Sequence, residues 1–250
     1  MGLYLMYGIP DFNRSDIQDR LKGVIEDLEG AYGDLPDTIG CMESISSKDS
    51  CEAWCCREQN PSVWFVEFLN TLENYIFKMD VDDFSSLIKL CLKKYLLIDK
   101  SNGCVFWNAD TRKCKTHTTR PVNCYFYGVT PDEEFQPRYE RLKVLNNNVK
   151  PQCDLIKLKN GNKFLTKKEI DFSFDSIREL EKKIGVPDHF LNDNPGGSYR
   201  SFHEHALIWI LGEKEMCDLS IVRSSYSMIQ KKQLINNICD CLRESFSNVK

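Results

Sequence analysis

Three cysteines, Cys104, Cys114 and Cys124, recur at ten-residue intervals in the stretch GCVFWNADTRKCKTHTTRPVNCYFYG, and a denser group, Cys51-Glu-Ala-Trp-Cys55-Cys56, lies upstream. No other feature limits the fold as much. From Ala31 to Asn60 the chain is rich in Gly, Pro, Ser and Asp, a composition that normally marks a surface loop. That loop nevertheless carries Cys41, Cys51, Cys55 and Cys56. A metal held by thiolates supplies the order that so little apolar surface does not.

Size and redox setting narrow the role of the thiols. At 250 residues the chain buries a real core without help, so its twelve cysteines are not needed to staple a domain too small to fold. The start, MGLYLMYGIPDFNRSD, lacks a basic segment followed by a long apolar run, and no later stretch approaches the length of a membrane span. The expectation is a cytoplasmic protein away from the membrane, where clustered cysteines bind metal or do redox chemistry more often than they form disulfides. A formal net charge of -4 argues against a nucleic-acid partner, because phosphate binding needs a concentrated Lys/Arg face. The partner is left as an unknown protein or small molecule.

Hydrophobic periodicity predicts a mainly helical scaffold. Ser15 and Gln18 form a capping box for a helix over Asp16–Glu29, with Ile17, Leu21, Val24 and Leu28 on one face. Asn60-Pro61 is expected to start a helix bearing the apolar stripe Trp64, Phe65, Phe68, Leu72, Tyr75, Ile76 and Met79. A further helix is expected over Asp83–Leu97, with Leu87, Ile88, Cys91 and Tyr95 inward. Cys91 therefore belongs to the core rather than to a metal site.

The opening stretch reads as a small hairpin with a thiol near each end: Cys104–Trp107, a polar turn over Asn108–Lys113, then Cys114. Arg120-Pro121 begins a short helix with Cys124 in its first turn, where backbone N–H groups favour a thiolate. Beyond it, Val129–Arg138 reads as an irregular linker, and Leu155–Leu165 as a hairpin around Asn160-Gly161. Thr166 and Glu169 form a capping box for a helix to Lys183 that stops at Gly185-Val-Pro187. Ser198–Leu211 is apolar nearly all round, as a buried helix or strand, and Ser224–Phe246 carries Ile235, Ile238, Leu242 and Phe246 at helical spacing.

The fold class is thus mainly α with short β-hairpins, an irregular α+β arrangement with a helical scaffold around a cysteine-rich region. Residues 1–153 form the cysteine-bearing domain and 154–250 a mostly helical region packed on it, or the two are one continuous domain.

Thiolates are the ligands that tetrahedral zinc and iron–sulfur clusters select. Eight cysteines stand in the relevant region: Cys41, Cys51, Cys55, Cys56, Cys104, Cys114, Cys124 and Cys153. They suffice for two four-thiolate sites, or for one with thiols to spare. The paired CxxC knuckles of zinc modules and the cysteine runs of ferredoxins are both missing, so spacing leaves the metal open. Cys217, Cys239 and Cys241 are read as structural. His203 and His205 are read as core or surface histidines, since i and i+2 diverge on a helix.

The pattern Cys51-x3-Cys55-Cys56, then Gly103-Cys104-x-Phe106, then Cys114-x2-His117-x2-Arg120-Pro121-x2-Cys124 resembles the YkgJ-type cysteine-cluster family, described as a zinc- or iron-chelating CxxCxxCC domain. It is also similar to the cysteine region of flagellin lysine methylase, where a Cys precedes a Cys-x3-Cys-Cys group. The resemblance spans Cys41 to Cys153. It implies eight thiols bound to iron–sulfur, most simply one or two [4Fe–4S] centres, or to zinc, with Cys153 as the last ligand after the RP-x2-C element. The gap from Cys41 to Cys51 is longer than the family's usual spacing, and His117, where Tyr or His is common, is read as a hydrogen-bonding residue.

Two kinds of function follow from the resemblance. One is an iron–sulfur protein in redox, metal handling or cluster-dependent chemistry; the other is a cluster-dependent methylase-like enzyme using S-adenosylmethionine. The chain has no G-x-G-x-x-G nucleotide loop to support the second. A structural zinc-binding interaction protein is the third alternative.

Overall fold

The computed structural model describes residues 14–36, 38–39, 60–97, 103–108, 110–111, 113–145, 157–158, 161–191 and 197–247. Cys41, Cys51, Cys55, Cys56 and Cys153 lie outside them. The described chain runs α1 (Arg14–Ala31), β1 (Thr38–Ile39), β2 (Ser62–Val63), α2 (Phe65–Asn74), α3 (Val81–Leu97), β3 (Trp107–Asn108), β4 (Lys113–Cys114), α4 (Val122–Phe126), α5 (Asp132–Leu145), β5 (Lys157–Leu158), α6 (Lys167–Lys183), β6 (Arg200–Ser201), α7 (Phe202–Leu211), α8 (Glu213–Ser225) and α9 (Met228–Ser247). It is mostly helical with short antiparallel strand pairs, as the periodicity predicts.

α2 is the hub. Phe65, Val66, Phe68, Leu69 and Leu72 are all buried, because both of its sides are covered. α1 and α6 pack on one part of it and α7 on another, while α3 packs against α7, α8 and α9. The rings of Phe65, Phe202, His205 and Trp209 surround Phe68 at centroid separations of 5.2 to 6.5 Å. Each such buried ring contributes roughly 1.5–3 kcal/mol of burial free energy. One contiguous core runs from Val24 to Cys239, with contributions from before and after residue 153.

Several local signals hold. Thr166 Oγ1 accepts the Glu169 N–H at 3.3 Å and Glu169 Oε2 accepts the Thr166 N–H at 2.6 Å, so the capping box starts α6 as expected. The helix ends where Gly185 adopts a φ of 93°, which a side chain would strain. Leu87, Ile88, Cys91 and Tyr95 of α3 are buried. The expected hairpin forms, with Trp107 paired to Cys114, but its first strand is Trp107–Asn108 and Cys104 precedes it in a turn rather than lying in the strand.

Four further expectations are corrected. α2 starts at Phe65, not at Asn60-Pro61: Ser62 and Val63 pair with Ser201 and Arg200, and the Glu67 carboxylate takes the Trp64 N–H at 2.9 Å. Residues 132–145 form a helix rather than a linker despite the internal Pro137. There Glu133 and Glu134 complement the dipole of the first turn, and Gln136 Nε2 donates to Glu140 Oε1 at 3.1 Å. Lys157–Leu158 pairs with Ile39 and Thr38 instead of closing a hairpin with the chain after Gly161. The last helix starts at Met228, not at Ser224, which lies in the last turn of α8, because Ser227 and Gln230 form a capping box: Ser227 N–H donates to Gln230 Oε1 at 2.9 Å and Gln230 N–H to Ser227 Oγ at 3.4 Å.

Candidate metal centre

Each of the three described candidate thiols is set by a different local structure. Cys104 precedes the hairpin and accepts the Trp107 N–H on its carbonyl at 3.1 Å. Cys114 ends the returning strand, and the Lys115 N–H continues the pairing to the Phe106 carbonyl at 2.8 Å. Its Sγ is 3.6 Å from Thr116 Oγ1. Cys124 lies in the first turn of α4, whose entry is set by the extended Pro121 (φ -71°, ψ 162°).

These three thiols line one pocket of about 40 Å³, together with Glu67 and Thr71 of α2, Phe106, Arg120, Tyr127 and Phe202. That is room for a few water-sized groups. Among the described residues, no three His, Cys, Asp or Glu side chains converge as a metal-ligating group. Of the wall's donors, the cysteine sulfurs are the soft ligands that a thiophilic metal takes, while both Glu67 oxygens are occupied by backbone N–H groups.

The pocket is fastened to the core by polar ties. Thr71 Oγ1 donates to the Thr119 carbonyl at 3.3 Å. Asn123 Nδ2 donates to the Ser62 carbonyl at 2.6 Å, which anchors α4 to β2. The Arg120 guanidinium lies 4.0 Å from the Tyr125 ring centroid and its Nη1 is 3.1 Å from His117 Nε2. Burial and then the Arg120 charge lower the His117 pKa.

Glu67 is the residue that sequence reasoning missed. It is 1% exposed, its Oε2 takes the Trp64 N–H, and its Oε1 takes the Val122 N–H at 2.6 Å. Burial raises its pKa to about 7 against the lowering effect of these two bonds. The Tyr32 hydroxyl approaches the same carboxylate without reaching hydrogen-bonding geometry. One signal was available: an acid in the otherwise apolar run Trp64-Phe-Val-Glu-Phe-Leu69.

The remaining described cysteines lie elsewhere. Cys91 and Cys239 are buried, and burial pushes both thiols up, Cys91 furthest. Cys217 and Cys241 are exposed on α8 and α9. His203 and His205 point to different partners, Nδ1 of the first to Asn60 Nδ2 and Nε2 of the second to the Val63 carbonyl. Among the described residues no helix is long and apolar enough to cross a membrane. Comparison with protein-family models, with curated proteins and with solved structures gave no match to this chain.

Proposed function

We propose that this chain is a thiolate-metal protein of a reducing, cytoplasmic compartment, holding one or two iron–sulfur centres for redox, metal handling or cluster-dependent chemistry. The observation that supports the reading is that Cys104, Cys114 and Cys124, from a turn, a strand and a helix, line the wall of one pocket. In the sequence, Cys56 precedes Pro61, which lines the pocket, by five residues. Ile39 and Lys157 are register partners, and Cys41 follows the first by two residues while Cys153 precedes the second by four.

Cys104, Cys114 and Cys124 would be ligands, completed by the thiols at 51–56, 41 and 153. When bound, such a centre supplies one-electron transfer. The chain's own residues exclude water and set the field: Phe106, Tyr127 and Phe202 provide apolar wall, and Arg120 brings positive charge to a cavity lined by cysteines.

A second reading, structural zinc, is favoured by the cavity itself, since about 40 Å³ suits a single ion. Iron, acid-labile sulfide and zinc analysis of protein purified without oxygen, with its visible spectrum, separates the two. A brown protein with iron and sulfide in equal amounts is expected. A colourless protein with stoichiometric zinc selects the second reading, and absence of both metals rejects each.

A further inference from the structure

Resting on the metal-site reading, the geometry points to Glu67 as the positioning residue of the thiol pocket: by accepting the backbone N–H groups of both Trp64 and Val122, its carboxylate locks the Cys124-bearing turn onto α2. Four observations converge on it. The side chain lines the pocket that the three thiols share. It is almost wholly buried, in a place where a carboxylate is costly unless its oxygens are occupied. Both oxygens are occupied, one by the residue just before α2 and the other by the first residue of α4, 55 positions away. Cys124 is two residues beyond Val122, so the anchored amide and the thiol belong to the same helical turn.

The two bonds do different work. The Trp64 bond is local and completes the first turn of α2, as an acidic N3 residue commonly does. The Val122 bond spans the fold, and at 2.6 Å it is short even for a charge-assisted N–H donor. α4 has only five residues and no side-chain cap of its own, so its first turn depends on partners outside the helix. Asn123 supplies one such tie through its side chain, to the Ser62 carbonyl. Glu67 supplies the tie to the backbone, and that tie fixes where the Cys124 Cβ points. In metal sites, partners that orient a ligand without touching the ion typically govern affinity by about 10–100-fold.

The test pairs Glu67→Gln with Thr166→Ala, a remote cap variant that lowers stability without approaching the pocket. Gln keeps the volume and one acceptor oxygen, but its NH2 faces one of the two amides. Co2+ titration of metal-free protein, followed by thiolate-to-cobalt charge-transfer absorption, gives affinity; thermal melts give stability; site-resolved iodoacetamide labelling gives the reactivity of Cys124. E67Q is expected to bind Co2+ about 10–100-fold more weakly than wild type and to label several-fold faster at Cys124, with T166A like wild type in both. E67D, which keeps the charge but is one methylene too short to bridge both amides, should behave like E67Q and serves if the Gln variant does not fold.

Unchanged Cys124 labelling in these variants overturns the assignment whatever the metal result. So does an equal loss of affinity in T166A, which would make stability alone responsible. If wild type takes up no cobalt, zinc or iron, the metal reading fails, and the labelling comparison still decides the role of Glu67.

Discussion

Glu181 of α6 closes the start of α2: its Oε1 accepts the Val66 backbone N–H at 2.5 Å across 115 positions of sequence. The residue is fully buried, and its second oxygen faces Ser198 Oγ without reaching hydrogen-bonding geometry. Burial, reinforced by the negative charge of Glu67, raises its pKa to about 8 although the Val66 bond opposes the shift.

A stability prediction follows from that pair of acids. Glu67 and Glu181 both hold protons more tightly folded than unfolded, with folded pKa values of about 7 and 8 against 4.5. Their contribution is fully present below pH 4.5 and is lost as pH rises through 7 and 8. Each group gives a slope of at most about 1.4 kcal/mol per pH unit. Urea midpoints should therefore fall between pH 6.5 and 8.5. Glu181→Gln, which keeps an acceptor for Val66 and offers a donor to Ser198, should flatten the fall and exceed wild type above pH 8. A wild-type midpoint that rises over this range contradicts the prediction.

The acid side is governed by histidine. His205 is 2% exposed, and since a carbonyl only accepts, its Nε2 carries the proton donated to Val63 O at 3.1 Å. Burial, and then the Arg200 charge, lowers its pKa to about 3. A depressed histidine contributes stability that is full above pH 6.5 and is lost as pH falls toward 3. His203, whose pKa burial lowers to about 4, is a second histidine of the same sign. Between about 4.5 and 6.5 the two histidine losses therefore offset the two carboxyl gains, and stability should be nearly flat there. His205→Gln, which retains a donor but does not titrate, should be less stable than wild type at pH 7 yet remove about half of the histidine-driven decline below pH 5, read by urea melts at pH 4, 5 and 7.

Short-range chemistry was legible in the sequence and long-range pairing was not. The Thr166–Glu169 box, the Pro121 entry to α4 and the apolar stripe of α3 are local signals, each complete within about four residues or one helical period. The start of α2 was misplaced because Asn60-Pro61 looks like a cap. What decides the start is β6, whose Arg200 and Ser201 take Val63 and Ser62 as strand partners. The same holds for Lys157–Leu158, which reads as half of a hairpin until Thr38 and Ile39 are seen beside it. At the site, spacing identified Cys104, Cys114 and Cys124 as candidates. It had no means of finding Glu67, whose partner Val122 is 55 positions distant. The box at Ser227 and Gln230 is itself a local signal, three residues apart, that lies inside the Ser224–Phe246 stretch.

The thiols divide into two sets by position, and substitution should divide them the same way. Cys104→Ser, Cys114→Ser and Cys124→Ser each remove a soft donor from the pocket and should lower bound metal to a small fraction of wild type, measured by elemental analysis after purification without oxygen. Cys241→Ser alters an exposed thiol on α9 and should leave metal content unchanged. Cys91→Ala should keep the metal while lowering the melting temperature, because Cys91 is fully buried among core residues and its truncation leaves a small cavity. Full metal retention in all three pocket variants would falsify the proposed centre.

The cap of α6 matters to the pocket only through the fold. α6 carries Glu181 and packs on α1 and α2, and its first turn depends on Thr166 Oγ1 accepting the Glu169 N–H while Glu169 answers at the Thr166 N–H. Those bonds lower the Glu169 pKa, so the answering half of the box weakens once that carboxyl is protonated in acid. Thr166→Ala removes the other half. Loss of such a cap costs about 1 kcal/mol, which for a chain of this size is a melting-point drop of roughly 2–4 °C. Thr166→Ser should restore most of the loss, because the hydroxyl and not the methyl makes the bond. Equal melting of the Ala and Ser variants would mean that α6 is held by its packing on α1 and α2 alone.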